Sequence, residues 1–122
     1  MRTTRVYEPD LDLAVRGNVH HGPVRITLVH VEDCPSLPVA RQRLADALGR
    51  LGMAAVVDQR LVLTPAEAEA TGFRGSPTIL IDGQDLFPAT AEPQGLSCRL
   101  YPTDQGPQGA PTVDGLIEVL RR

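Results

Sequence analysis

The residue of this chain with the clearest capacity for chemistry is Cys34, which lies where an apolar, β-branched stretch gives way to a helical pattern. A thiol reacts as its thiolate, and the first turn of a helix stabilises that anion through unpaired N–H groups and the positive end of the helix dipole. The preceding Asp33 opposes the anion, because a neighbouring negative charge disfavours it. We therefore predict that Cys34 is a reactive, partly exposed thiol. An inert, buried cysteine is the alternative.

A second segment, Ser76-Pro77-Thr78, opens a predicted strand further along the chain. Together with the stretch that begins at Cys34, it resembles the thioredoxin-like superfamily. In that family an active cysteine heads the first helix, and a cis proline that opens a later strand faces it. The resemblance covers residues 24–122 and implies a cis bond before Pro77. It also implies that Ser76, Pro77 and Thr78 bind the substrate.

The family's C-x-x-C motif is incomplete here, because Leu37 stands where its second cysteine would be. One possibility is that Cys34 acts alone, as in monothiol glutaredoxin-like proteins, while a small thiol resolves the mixed disulfide. Another is that Cys98 is a distant resolving cysteine. The competing interpretation of Cys98 is a buried cysteine of the core. A third is a non-catalytic binding module. We predict a thiol–disulfide oxidoreductase role, with a small thiol or a protein disulfide as the partner.

Organomercurial lyase chemistry is an alternative from a different enzyme class. Protonolysis of a carbon–mercury bond requires two thiolates and a nearby acid, which Cys34, Cys98 and Asp33 would supply if they converge. The catalytic candidates are therefore these three residues. The cysteines and histidines lack the spacings of a zinc site, and the chain has no glycine-rich phosphate loop or dinucleotide fingerprint. We expect no metal and no cofactor.

Periodicity and turn residues predict the element order β-α-β-α-β-β-α. The nearly continuous apolar and β-branched stretch at 24–31 is typical of a central strand. Thr64, followed by proline and glutamate, predicts a capped helix, and Asp82 with the next glycine predicts a type I′ hairpin turn. The first helix has two possible caps. Cys34 is favoured from the family pattern, and Ser36 is the alternative.

These elements predict an α/β protein. The resemblance makes it a thioredoxin-like three-layer fold, with a central mixed sheet of about four to five strands and helices on both faces. A short strand at 98–101 and an exposed connection at 102–111 depart from the minimal family pattern. Residues 1–23 are predicted to be an N-terminal extension, with a possible edge strand from Leu11 to Val15, and residues 24–122 form the domain.

Composition narrows the function classes. The 122 residues have a net charge of -3, which argues against a nucleic-acid-binding face. No apolar run is long enough to span a membrane, and the N-terminus lacks the apolar core of a secretory signal, so a cytoplasmic location is expected. Aromatic residues make up only 3% and give no indication of a large exposed interface. The adjacent His20 and His21 are interpreted as part of a solvated loop rather than as a metal site.

Overall fold

Five strands form one mixed sheet, and three helices pack on it, in a computed structural model that describes residues 2–7, 23–88 and 96–122. The predicted α/β class is confirmed. The strands are β1 (Arg2–Tyr7), β2 (Val24–His30), β3 (Ala55–Leu61), β4 (Thr78–Ile81) and β5 (Gln84–Asp85). The helices are α1 (Leu37–Leu51), α2 (Pro65–Thr71) and α3 (Val113–Leu120).

The sheet has the order β1-β3-β2-β4-β5, with β2 at its centre. Strand β2 runs parallel to β3 and antiparallel to β4, and each outer strand is antiparallel to its neighbour. The apolar pattern of β2 accounts for its central position, because Ile26 and Leu28 are buried on one face and Val29 on the other. This arrangement puts the end of β2, the end of β3 and the start of β4 at the same edge of the sheet. We call it the thiol edge, because Cys34 follows β2 there.

The helices cover both faces of the sheet, as predicted. On the first face, α1 and α3 bury a core of ten residues: Ile26, Leu28, Leu44, Ala47, Leu48, Ala55, Val57, Ile79, Leu116 and Leu120. On the second face, Ala68 of α2 packs against a smaller cluster of Val29, Val62, Phe73 and Leu80. Full burial of a leucine or isoleucine side chain contributes about 1.5–3 kcal/mol, so the first face carries most of the apolar stabilisation.

Local hydrogen bonds set the ends of two helices, and the predicted cap at Thr64 is confirmed. Thr64 caps α2 in a complete capping box, in which its hydroxyl accepts a bond from Glu67 N while the Glu67 carboxylate accepts one from Thr64 N. Helix α2 then ends at Gly72 in the left-handed conformation. Thr112 caps α3 by accepting a bond from the backbone N–H of Gly115. The hairpin turn between β4 and β5 is also confirmed, with positive φ at Asp82 and Gly83.

Three features differ from the sequence prediction or lie outside it. Ser36, not Cys34, is the N-cap of α1, which puts Pro38 in the first turn, where a missing N–H removes no intrahelical bond. The predicted strand at 98–101 is absent, and two isolated bridges stand in its place. Strand β1, within the predicted N-terminal extension, was not anticipated because its sequence is mostly polar. The possible edge strand from Leu11 to Val15 and the residues His20 and His21 lie outside the described residues.

No helix in the described part of the chain has the length and apolar character needed to cross a lipid bilayer.

Candidate functional site

Cys34 lies between the end of β2 and the start of α1. The turn before it contains Asp33 in the left-handed conformation, with φ of 55°, and the carbonyl of Cys34 accepts a bond from Leu37 N at 3.3 Å. The prediction that Cys34 is partly exposed is wrong, since it is only 7% exposed. Asp33 is exposed. The two neighbouring residues therefore differ in environment, with the carboxylate in solvent and the thiol inside.

Ser76, Pro77 and Thr78 lie opposite this turn and are all buried. The predicted cis bond between Ser76 and Pro77 is confirmed. The hydroxyl of Ser76 accepts a bond from Val31 N at 3.1 Å, and Val31 belongs to the short connection that leads from β2 to Cys34. The Thr78 hydroxyl donates to the carbonyl of Gly75 at 2.6 Å and so stays within its own loop. The serine, rather than the threonine, joins the proline segment to the Cys34 connection.

Cys98 lies on the other side of the same serine. The Ser76 N–H donates to the carbonyl of Ser97 at 2.8 Å, and the Ser76 carbonyl accepts from Arg99 N at 3.0 Å. These bonds form a parallel bridge between Ser76 and Cys98. Cys98 is exposed, and both cysteines are free thiols. The structure therefore brings the Cys34 connection and the Cys98 segment to one residue, with the side chain of Ser76 bonded to the first and its backbone to the second.

Residues 96–111, which we call the cover segment, also reach the proline. Tyr101 is buried, and its hydroxyl donates a hydrogen bond to the carbonyl of Pro77. Burial raises the pKa of Tyr101 well above its ordinary value. The Arg99 guanidinium acts against that rise, and negative charge on Asp85 and Cys34 adds to it. The phenol is therefore a neutral hydrogen-bond donor that contacts the substrate-binding segment predicted from the sequence.

The cover segment then crosses the start of α1. Tyr101 pairs with Gln108 through two backbone bonds of 2.7 and 2.9 Å. A Cβ atom at Gly109 would lie 2.0 Å from the Ser36 hydroxyl oxygen, so any other residue would require Ser36 to move. Arg43 of α1 donates to the side-chain oxygen of Gln108 at 3.0 Å and to the carbonyl of Ala110 at 3.3 Å. These contacts place the cover segment across the first turns of α1, the helix that follows Cys34.

Sequence reasoning missed three side chains at this site: Asp85, Arg99 and Tyr101. The Arg99 guanidinium donates to Asp85 at 2.9 Å, and both side chains are almost fully buried. The alternation of Arg99 and Tyr101 with the exposed Cys98 and Leu100 is the signal that could have found them, because alternate residues of an extended chain face opposite sides. An arginine on the inward side requires a buried acceptor.

No other described feature competes with this site for thiol chemistry. Within residues 2–7, 23–88 and 96–122, no cluster of three or more histidine, cysteine and acidic residues could hold a metal ion. An open cleft of about 590 Å³ lies between the middle of the cover segment and α3, lined by Arg43, Asp104, Gln108, Asp114 and Glu118 among others. Neither cysteine lines that cleft.

Comparison of the chain with protein-family models, with curated proteins and with solved structures finds no match.

Proposed function

We propose that this protein is a thioredoxin-like thiol–disulfide oxidoreductase in which Cys34 and Cys98 act as a pair. The observation that carries the proposal is the position of Ser76. Its hydroxyl is bonded to the connection that leads to Cys34, and its backbone is paired with the segment that holds Cys98. A distant cysteine thus stands in for the one that Leu37 replaces in the C-x-x-C motif.

The thioredoxin-like assignment is part of the proposal and rests on the arrangement of elements. After β1, the order from β2 to α3 is β-α-β-α-β-β-α, with a parallel pair at the centre and antiparallel strands on either side. The cysteine precedes the first helix, and the proline immediately precedes β4. These features support the resemblance, and the cover segment is this chain's own addition to it.

The difference in exposure reverses the roles expected from the sequence, so that Cys98 attacks first and Cys34 is the resolving cysteine. Cys98 is exposed, whereas Cys34 is only 7% exposed. The Cys98 thiolate attacks the partner disulfide, forming a mixed disulfide and releasing the first partner thiolate, which takes up a proton from solvent. The Cys34 thiolate then attacks the Cys98 sulfur, forming the Cys34–Cys98 bond and releasing the second partner thiolate. Two thiols are oxidised to one disulfide, and the partner disulfide is reduced to two thiols.

Intact-mass analysis of the protein treated with oxidised glutathione tests this proposal. We expect the wild-type protein to lose two hydrogens, as one internal disulfide forms. Cys34→Ser should instead hold a stable glutathione adduct at Cys98, because the second attack is removed. Cys98→Ser should react slowly, because its only thiol is buried. An unchanged wild-type mass would contradict the proposal and favour a binding module. A wild-type adduct confined to Cys34 would favour the monothiol mechanism.

The organomercurial lyase alternative stays a prediction. It uses the same two thiols and also requires an acid beside them, for which Asp33 is the candidate from the sequence. The exposure of Asp33 beside a buried Cys34 gives it less support than the disulfide exchange has.

A further inference from the structure

Arg99 is buried more deeply than an arginine usually is. Its side chain is 3% exposed, and it donates to the two carboxylate oxygens of Asp85 at 2.9 and 3.4 Å. It also donates to the carbonyl of Phe87 at 2.7 Å. Asp85 is the last residue of β5, and Phe87 follows it closely. The guanidinium therefore fastens the beginning of the cover segment to the end of the β4–β5 hairpin.

Tyr101 bonds the beginning of the cover segment to Pro77. Its hydroxyl bonds the Pro77 carbonyl, and its ring lies 4.5 Å from the Arg99 guanidinium carbon. The Phe87 ring meets it edge-on, with 5.3 Å between ring centroids. Close approach of the backbones is also required, because a Cβ atom at Gly75 would lie 2.7 Å from the Arg99 Cβ. Arg99 and Tyr101 thus form one buried unit on the inner side of the chain.

Cys98 lies immediately before this unit and faces solvent. Its neighbours Ser97 and Arg99 supply the two backbone bonds to Ser76, so the position of Cys98 along the thiol edge depends on where Arg99 is held. The resolving step needs that position, because the Cys34 thiolate must approach the Cys98 sulfur along the line of the breaking S–S bond. A small displacement of one reacting group lowers the rate of such a step steeply.

We propose that Arg99, held by Asp85 and Tyr101, is a positioning residue that sets Cys98 for attack by Cys34. This inference rests on the proposed two-thiol exchange. It assigns Arg99 no contact with the substrate. It predicts that loss of the guanidinium slows the second step of the exchange and leaves the first step unchanged, because the first step requires only an exposed thiol.

Single-turnover reaction with dithiobis-nitrobenzoate separates the two steps. This disulfide releases one coloured thiolate when the mixed disulfide forms and a second when the internal disulfide forms. In Arg99→Met we expect the first phase to match the wild type and the second to slow about tenfold, and slowing of less than about fivefold would overturn the inference. Arg25→Met is the matched control. Arg25 also pairs with a buried carboxylate, that of Asp58 at 2.8 Å, but both residues belong to the sheet and not to the cover segment. Both phases should therefore be unchanged in this variant.

The outcomes separate this inference from the proposed function. A wild-type protein that releases only one equivalent lacks the internal exchange, and that result overturns both. Two wild-type phases with an unaltered second phase in Arg99→Met overturn only the positioning role. If Arg99→Met loses the wild-type circular dichroism spectrum, Arg99→Lys becomes the deciding variant under the same criterion. It keeps a cation for Asp85 but lacks the planar fork that reaches both Asp85 and Phe87.

Discussion

Helices α1 and α2 begin in different ways. Helix α2 is capped from within, because Thr64 and Glu67 satisfy each other's backbone N–H groups three residues apart. Helix α1 has Ser36 as its N-cap, and the Ser36 side chain makes no capping bond. The cover segment, which comes after all five strands in the sequence, contacts the first turns of α1 instead. Gly109 lies against Ser36, and Arg43 of α1 donates hydrogen bonds to Gln108 and Ala110.

This difference indicates which helix start depends on residues far away in the chain. The candidate thiol lies at the helix start that distant residues complete, so changes in the cover segment should reach Cys34. The start of α2 has no such dependence. Four predictions test this contrast.

The largest expected effect is on the free energy of unfolding, when the buried ion pair between Arg99 of the cover segment and Asp85 of β5 is broken. Asp85→Ala removes a carboxylate from a guanidinium that is 3% exposed, and breaking a buried pair from one side costs about 3–5 kcal/mol. Urea unfolding should show this loss together with faster alkylation of Cys34. Asp46→Ala, which removes an exposed carboxylate on α1, is the control, and its effect should stay within about 0.5 kcal/mol. If Asp85→Ala had an equally small effect, the ion pair of the cover segment would contribute little, and the proposed difference between the two helix starts would not hold.

The contact between Gly109 and Ser36 should be nearly as sensitive. Gly109→Ala places a Cβ 2.0 Å from the Ser36 hydroxyl oxygen and 3.0 Å from its Cβ, so we expect a loss of about 1–3 kcal/mol and a more accessible Cys34. Adding Ser36→Gly should restore most of that loss, because the obstructing side chain is gone. Gly49→Ala has open space around its Cβ and should not destabilise the protein. A double variant no better than Gly109→Ala alone would contradict the assigned contact.

Alkaline pH should lower the free energy of unfolding, because the phenol of Tyr101 in the cover segment is buried in its neutral form. Burial raises the folded-state pKa of Tyr101 above its ordinary value of 10.0. Above that pH the unfolded chain loses the proton while the folded protein keeps it, so stability falls by up to about 1.4 kcal/mol for each further pH unit. Unfolding free energies measured for the wild type and Tyr101→Phe should diverge in slope, with the variant less dependent on pH. Parallel curves would mean that the phenol is not buried.

The smallest effect separates the two caps directly. Thr64→Ala removes a hydroxyl that accepts a bond from Glu67 N at 3.1 Å, and loss of such a cap costs about 1 kcal/mol. Ser36→Ala removes no capping bond and should change the unfolding free energy by less than about 0.5 kcal/mol. Alkylation of Cys34 should be unaffected by Thr64→Ala. Equal destabilisation by the two substitutions would show that Ser36 caps α1 in solution.

The sequence predicts best the elements whose causes lie within a few residues. The capping box at Thr64, the turn at Asp82 and the central strand from Val24 follow from local hydrogen bonding, backbone preference and apolar pattern. The cap of α1 was mispredicted as Cys34, because the residues before Pro38 allow two starting points. Strand β1 was missed because its polar sequence carries no periodic signal, and its pairing with β3 supplies the order instead.

For the candidate site, the chemical groups can be identified from the amino-acid sequence: a cysteine before a helix, a serine–proline segment before a strand, and a second cysteine in an added segment. The environments of these groups depend on how the whole chain folds. The tertiary structure buries Cys34, leaves Cys98 exposed, and bonds both of their segments to Ser76. The physical reason is that burial and charge pairing depend on groups far apart in the chain. The Arg99–Asp85 pair and the Gly109–Ser36 contact join different parts of the chain, and no local pattern encodes them.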